Sequence, residues 1–133
     1  MILLFLQQIT QQPIMNLLTI DFLETIYNKQ KETSLLGKWI RFKDIKDLFK
    51  KHEAAFQISE LGTSEKGTPI YTLKIGSGEK KLLLWSQMHG NESTGTKALF
   101  DLFNCLLLSK QSEINSILES CTLLFVPMLN PDG

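Results

Sequence analysis

The apolar positions of the chain change period along its length, and each change marks an element. Leu17, Ile20, Leu23 and Tyr27 recur at the three- and four-residue spacing of one helix face, and Asp21 with Glu24 has the form of a capping box. That pattern predicts a first helix over 17–27. A second amphipathic helix is predicted over 43–51, where Ile45, Leu48 and Phe49 form the apolar stripe. The stretch "KETSLLGKWIRF" between the two fits no single period. Beyond His52 the spacing shortens. Phe56, Ile58 and Leu61, then "GTSEKGTP", then the alternation from Ile70 to Ile75 read as two antiparallel strands around a turn.

After "GSGEK" the run "KLLLWSQ" is apolar without alternation, which predicts a central strand covered on both faces. Ala98, Leu99, Leu102, Phe103, Leu106 and Leu107 restore a helical period over 94–108, and "CTLLFVPML" is a second buried strand leading into "NPDG". Strand, helix and strand in that order is the βαβ pattern. The expected class is α/β, with a mixed, mostly parallel sheet and helices on both faces.

Composition narrows the function classes. The 133 residues carry 14 basic and 14 acidic side chains, so no net field draws in a nucleic-acid backbone or an anionic membrane. Lys43, Lys46, Lys50 and Lys51 are interleaved with Asp44 and Asp47 and read as a solvated helix face. Cys105 and Cys121 each sit in an apolar run without metal or redox spacing, which predicts buried thiols and a reducing, cytoplasmic compartment. The apolar run Met1 to Leu6 lacks the preceding basic residue, the length and the cleavage site of a secretory signal. Residues 1–14 are therefore expected to be a leader or an extension ahead of a start at Met15, followed by a helical segment over 15–55. No stretch has the length needed to span a bilayer.

The candidate chemistry lies in "WSQMHGNEST". In parallel sheets, ligands gather in the loops that leave the carboxyl ends of strands, and His89 and Glu92 fall in such a loop. Gly90 between them allows a tight bend, and an imidazole nitrogen with a carboxylate oxygen suits Zn²⁺. The competing reading is a polar turn that starts the next helix, with Asn91 or Ser93 as cap and Glu92 near the positive helix end. Chance alone places a His-x-x-Glu somewhere in this composition roughly one time in seven. By spacing, the two readings stand level.

The longer stretch "FQISELGTSEKGTPIYTLKIGSGEKKLLLWSQMHGNESTGTKALFDL", with "LLFVPMLNPDG" after it, resembles the N-terminal part of the zinc carboxypeptidases, the M14 metallopeptidases, and bacterial members most of all. The resemblance runs from about Asp44 to Gly133. It implies that residues 56–133 are the N-terminal part of a zinc carboxypeptidase-like catalytic domain of the phosphorylase/hydrolase type. It also implies that His89 and Glu92 are the first two ligands of one zinc ion, and that Asn130, Pro131, Asp132 and Gly133 are the family's turn motif. Gly67 followed by Thr68 departs from the Gly-Arg common at that turn in the family, which leaves the catalytic residues untouched.

By the same resemblance the third zinc ligand, the arginines and asparagine that hold substrate, and the glutamate general base lie beyond Gly133, so a chain of these residues alone is expected to be inactive. The implied reaction is hydrolysis of a peptide or amide bond next to a terminal carboxylate. Two alternatives are a deacylase of the aspartoacylase and succinylglutamate desuccinylase type, whose His-Gly-Asn-Glu is similar, and a non-catalytic remnant of the fold.

Overall fold

The computed structural model of the protein describes residues 19–108 and 112–133. It divides into two compact units, 1–30 and 31–133. In the first, helix α1 spans Ile20–Gln30 and runs one turn further than the apolar spacing predicts. The leader expected over 1–14 and the apolar position Leu17 lie outside the described residues.

The second unit holds the sheet. Its strands are β1 (Gln57–Thr63), β2 (Pro69–Ile75), β3 (Lys80–Trp85) and β4 (Cys121–Val126), in the spatial order β1-β2-β4-β3. β1 and β2 form the expected hairpin, antiparallel, with an irregularity between Glu60 and Gly62. β2 and β4 are also antiparallel, and β3 and β4 are parallel, with Leu82 opposite Leu123 and Leu84 opposite Phe125. The sheet is mixed, and within these residues its parallel pairing is the βαβ crossover between β3 and β4.

Among the described residues this unit has four helices: α2 (Phe42–Ile45), α3 (Leu48–His52), α4 (Thr94–Leu108) and α5 (Ser112–Ser120). The single helix expected over 43–51 is interrupted at Lys46 and Asp47, yet Ile45 and Phe49 still bury together. The four lysines of this region are exposed, as a solvated face requires. α4 is present over the predicted residues, and its Leu99, Phe103 and Leu106 are at most 9% exposed. α5 has only Ile114, Ile117 and Leu118 as aliphatic positions, and the periodicity reading missed it. Cys105 and Cys121 form no disulfide, and both are half-buried where full burial was expected.

One aromatic cluster joins helices to sheet. Phe103 meets Phe125 at 5.0 Å, Phe56 at 5.2 Å and Phe100 at 5.3 Å between ring centroids, in the tilted or edge-on contacts that aromatic quadrupoles favour. The hydrophobic core around these rings draws on α2 to α5, and from the sheet on Tyr71, Leu73, Ile75, Leu84, Leu123 and Phe125, which share one face. On the opposite face Leu83 and Lys74 are exposed.

The expectation that β3 is central is corrected here. Among the described residues it pairs with β4 alone, and Leu82, Leu83 and Trp85 are 50–55% exposed. An unbroken apolar run reports what a strand is built to bury, whereas its neighbours are decided by partners elsewhere in the chain.

Tight packing closes the crossover. Gly76 has φ of 86°, and a Cβ there would lie 2.3 Å from the Cys121 carbonyl oxygen, so the turn before β3 admits glycine alone. The nearby Thr122 hydroxyl donates to the Gly78 carbonyl at 2.7 Å. Among the described residues no helix is long and apolar enough to cross a membrane.

Candidate metal centre

β3 and β4 run parallel, so their carboxyl ends lie side by side and the loops leaving them meet. The backbone continues the pairing beyond both strands. Ser86 N–H donates to the Val126 carbonyl at 3.0 Å, Leu129 N–H to Ser86 at 2.9 Å, and Asn130 N–H to Gln87 at 2.8 Å. His89, Glu92 and the Asn130–Gly133 turn are therefore strapped into one neighbourhood by main-chain bonds.

His89 and Glu92 face each other there, with Nδ1 and Oε2 3.2 Å apart and both side chains about two-thirds exposed. A turn bond from Glu92 N–H to the His89 carbonyl, 3.0 Å, holds their backbones. The separation is at the long end for a hydrogen bond. It also matches two donors of one tetrahedral ion, since groups about 2.0–2.1 Å from zinc lie about 3.3 Å from each other. The chemical types fit as well, neutral imidazole and carboxylate being ordinary zinc donors. No group of three or more His, Cys, Asp or Glu side chains converges among the described residues.

The structure adds two details. Gly90 lies in the turn closed by the Glu92 N–H to His89 carbonyl bond, and ahead of that turn Gln87 takes a positive φ of 46°. Gly90 is also required for contact: a Cβ on it would sit 2.4 Å from Gly133 Cα, so the two loops touch glycine to glycine. Ser93 does stand just ahead of α4, where a cap belongs, but its hydroxyl donates to the Lys38 carbonyl and ties the 37–41 segment to the helix start. Lys97 Nζ makes the matching bond to the Gly37 carbonyl.

The Asn130–Gly133 turn is anchored from the hairpin side. Asp132 accepts from Ser64 Oγ at 2.8 Å, from the Lys66 N–H at 3.0 Å and from Thr68 Oγ1 at 3.3 Å. The Lys66 backbone bond and then the hydroxyls hold its carboxyl below the usual carboxylate range. Thr68, singled out in the sequence only as a departure from Gly-Arg, is thus one of the groups that fix the turn. Asn130 itself is exposed beside it.

Sequence reasoning also missed Gln87 and Thr96, which are uncharged and buried. The Thr96 hydroxyl lies 2.6 Å from Gln87 Oε1 and 2.7 Å from the Pro127 carbonyl, linking the first turn of α4 to both strand ends. Gln87 had one sequence signal, its place two residues ahead of His89 where a strand must turn out of the sheet.

Known proteins carry the same arrangement of strands and loops. Carboxypeptidase D of Anas platyrhynchos is 28% identical over 98 residues, 67% of this chain and 7% of that protein. A protein of Ajellomyces dermatitidis described as inactive metallocarboxypeptidase ECM14 is 24% identical over 122 residues, 85% of this chain and 20% of that one. A metallo-carboxypeptidase from Pseudomonas aeruginosa superposes with a TM-score of 0.65 at 25% identity, covering 71% of this chain and 27% of its own. The chain thus spans about a quarter or less of these relatives. Residues 43–133, including both strand-end loops, match the zinc carboxypeptidase family, and the chain belongs to it.

Proposed function

We propose that the chain carries the first two ligands of the zinc site of a metallocarboxypeptidase, His89 and Glu92, within residues 56–133 as the N-terminal part of the catalytic domain. The observation behind this reading is the 3.2 Å approach of His89 Nδ1 to Glu92 Oε2 in a loop at a strand end. A bound zinc ion supplies Lewis acidity that brings the pKa of a coordinated water near neutrality. This chain's own residues hold that ion and shape its surroundings. His89 and Glu92 are exposed, which leaves access for water and substrate. Asp132 fixes the turn that forms the adjoining wall. The third ligand, the general base and the groups that grip a terminal carboxylate come from residues beyond Gly133, and the substrate is a peptide or amide with such a carboxylate.

Titration of the 133-residue chain with ZnCl₂, read by NMR, tests the ligand roles. Weak binding is expected, removed by His89→Ala and by Glu92→Ala, together with no hydrolysis of a blocked dipeptide. Zinc affinity indifferent to both substitutions overturns the assignment. Chelator-sensitive turnover by this chain overturns the division of the site. The relative described as inactive, matched over 85% of the chain, favours a second reading, a non-catalytic member that keeps the fold for binding. A version extended through the rest of the domain separates the two, since turnover lost on Glu92→Ala belongs only to the enzyme.

A further inference from the structure

Gln87 is the only residue other than glycine with positive φ among those described. An L-residue resists that conformation unless its surroundings hold it there. What holds it is its own side chain, 4% exposed. Nε2 donates to the Gly90 carbonyl at 2.6 Å and to the Ile40 carbonyl at 3.1 Å, and Oε1 accepts from the Thr96 hydroxyl. Both carbonyls can only accept, which fixes the nitrogen on their side of the amide. The Gln87 main-chain oxygen takes the Asn130 N–H as well. One residue thus binds the 37–41 segment, the loop between His89 and Glu92, the first turn of α4 and the Asn130–Gly133 turn.

We propose that Gln87 is the positioning residue of the His89–Glu92 pair: its amide clamps the Gly90 peptide and thereby sets the separation and direction of the two side chains on either side. This deepens the proposed zinc site and rests on that reading. Partners outside a metal's own ligands commonly decide ligand orientation, and losing one typically weakens metal binding about 10- to 100-fold. A residue that merely filled space would be replaced without loss by an apolar chain of equal length, and Gln87→Met is that replacement.

The test uses the 133-residue chain and two measurements by NMR, amide hydrogen exchange over Gly90–Ser93 and titration with ZnCl₂ followed at the same amides. Gln87→Met is expected to stay folded while melting below the parent, to exchange the Glu92 amide at least about tenfold faster, and to bind zinc about tenfold more weakly or worse. Unchanged exchange and unchanged affinity overturn the proposal. Should Gln87→Met fail to fold, Gln87→Gly carries the same comparison, because glycine accepts the left-handed backbone and lacks the amide. A parent that binds no zinc sinks the metal reading alone, and the Glu92 exchange rate still decides whether Gln87 positions the loop.

Discussion

The chain's two histidines stand in opposite surroundings. His52 is fully buried, its ring 5.6 Å from Phe103, 5.8 Å from Phe56 and 6.0 Å from Phe100, and neither ring nitrogen has a hydrogen-bond partner among the described residues. His89 is about two-thirds exposed and turned towards a carboxylate. The first ring is held as a flat apolar body at the cost of two stranded polar atoms, and the second stands in solvent with Nδ1 against the Glu92 carboxylate. Residue type is the same, so function follows from the partners each fold position supplies.

The largest expected effect lies on the buried side. Phe103→Ala should cost about 3 to 5 kcal/mol, read as a lower denaturant midpoint, because Phe103 is fully buried among four aromatic rings. A loss below about 1 kcal/mol would mean the cluster closes without it.

Next comes the effect of acid on His52. Burial, and then the nearby Lys51 charge, push its pKa from 6.5 down to about 4, against a smaller opposing pull from Glu32. Between those values the unfolded chain binds a proton that the folded chain refuses, so stability is full above about pH 6.5 and falls as pH drops towards 4. The slope is about 1.4 kcal/mol per pH unit where the difference is complete. His52→Leu should remove that slope, and denaturation of both proteins at pH 7 and pH 4.5 measures it. An equal acid loss in the variant would move the cause elsewhere.

Thr96→Val sharpens the boundary between the two regions, since Thr96 is fully buried but its hydroxyl serves the strand-end loops. Removing the one hydroxyl proton that Gln87 Oε1 and the Pro127 carbonyl share should cost about 1 to 3 kcal/mol in thermal unfolding. The smallest effect on stability belongs to Glu92→Gln, expected within about 0.5 kcal/mol because the pair is solvent-exposed. The same substitution should weaken zinc binding, so a neutral melt with lost binding is the outcome that separates a site from a support.

What the sequence made legible follows from the range of the forces involved. The β2 alternation, the α4 stripe and the apolar β4 run are local patterns set by burial on one or two faces, and all three are where the spacing predicts. α5 was missed because three aliphatic residues in nine give a weak period. The position of β3 at the sheet edge is a matter of partners more than of its own residues. In the candidate site, His89 and Glu92 stood out in the sequence through their chemistry. Gln87, Ser64 and Thr68 were not, since a neutral amide or hydroxyl reveals its role only when its partner is known. For Asp132 those partners lie more than sixty residues earlier.

The parallel pairing of β3 and β4 also sets an order of assembly. The β1–β2 hairpin closes across a short turn, whereas Leu82 must find Leu123 across some forty residues that include α4. Contacts so distant in sequence cost more chain entropy before they return any attraction, and they form late. The main-chain straps from Leu129 and Asn130 to Ser86 and Gln87 can close only after that pairing. The His89 loop is therefore expected to take up its final position against the Asn130–Gly133 turn only after β3 and β4 have paired.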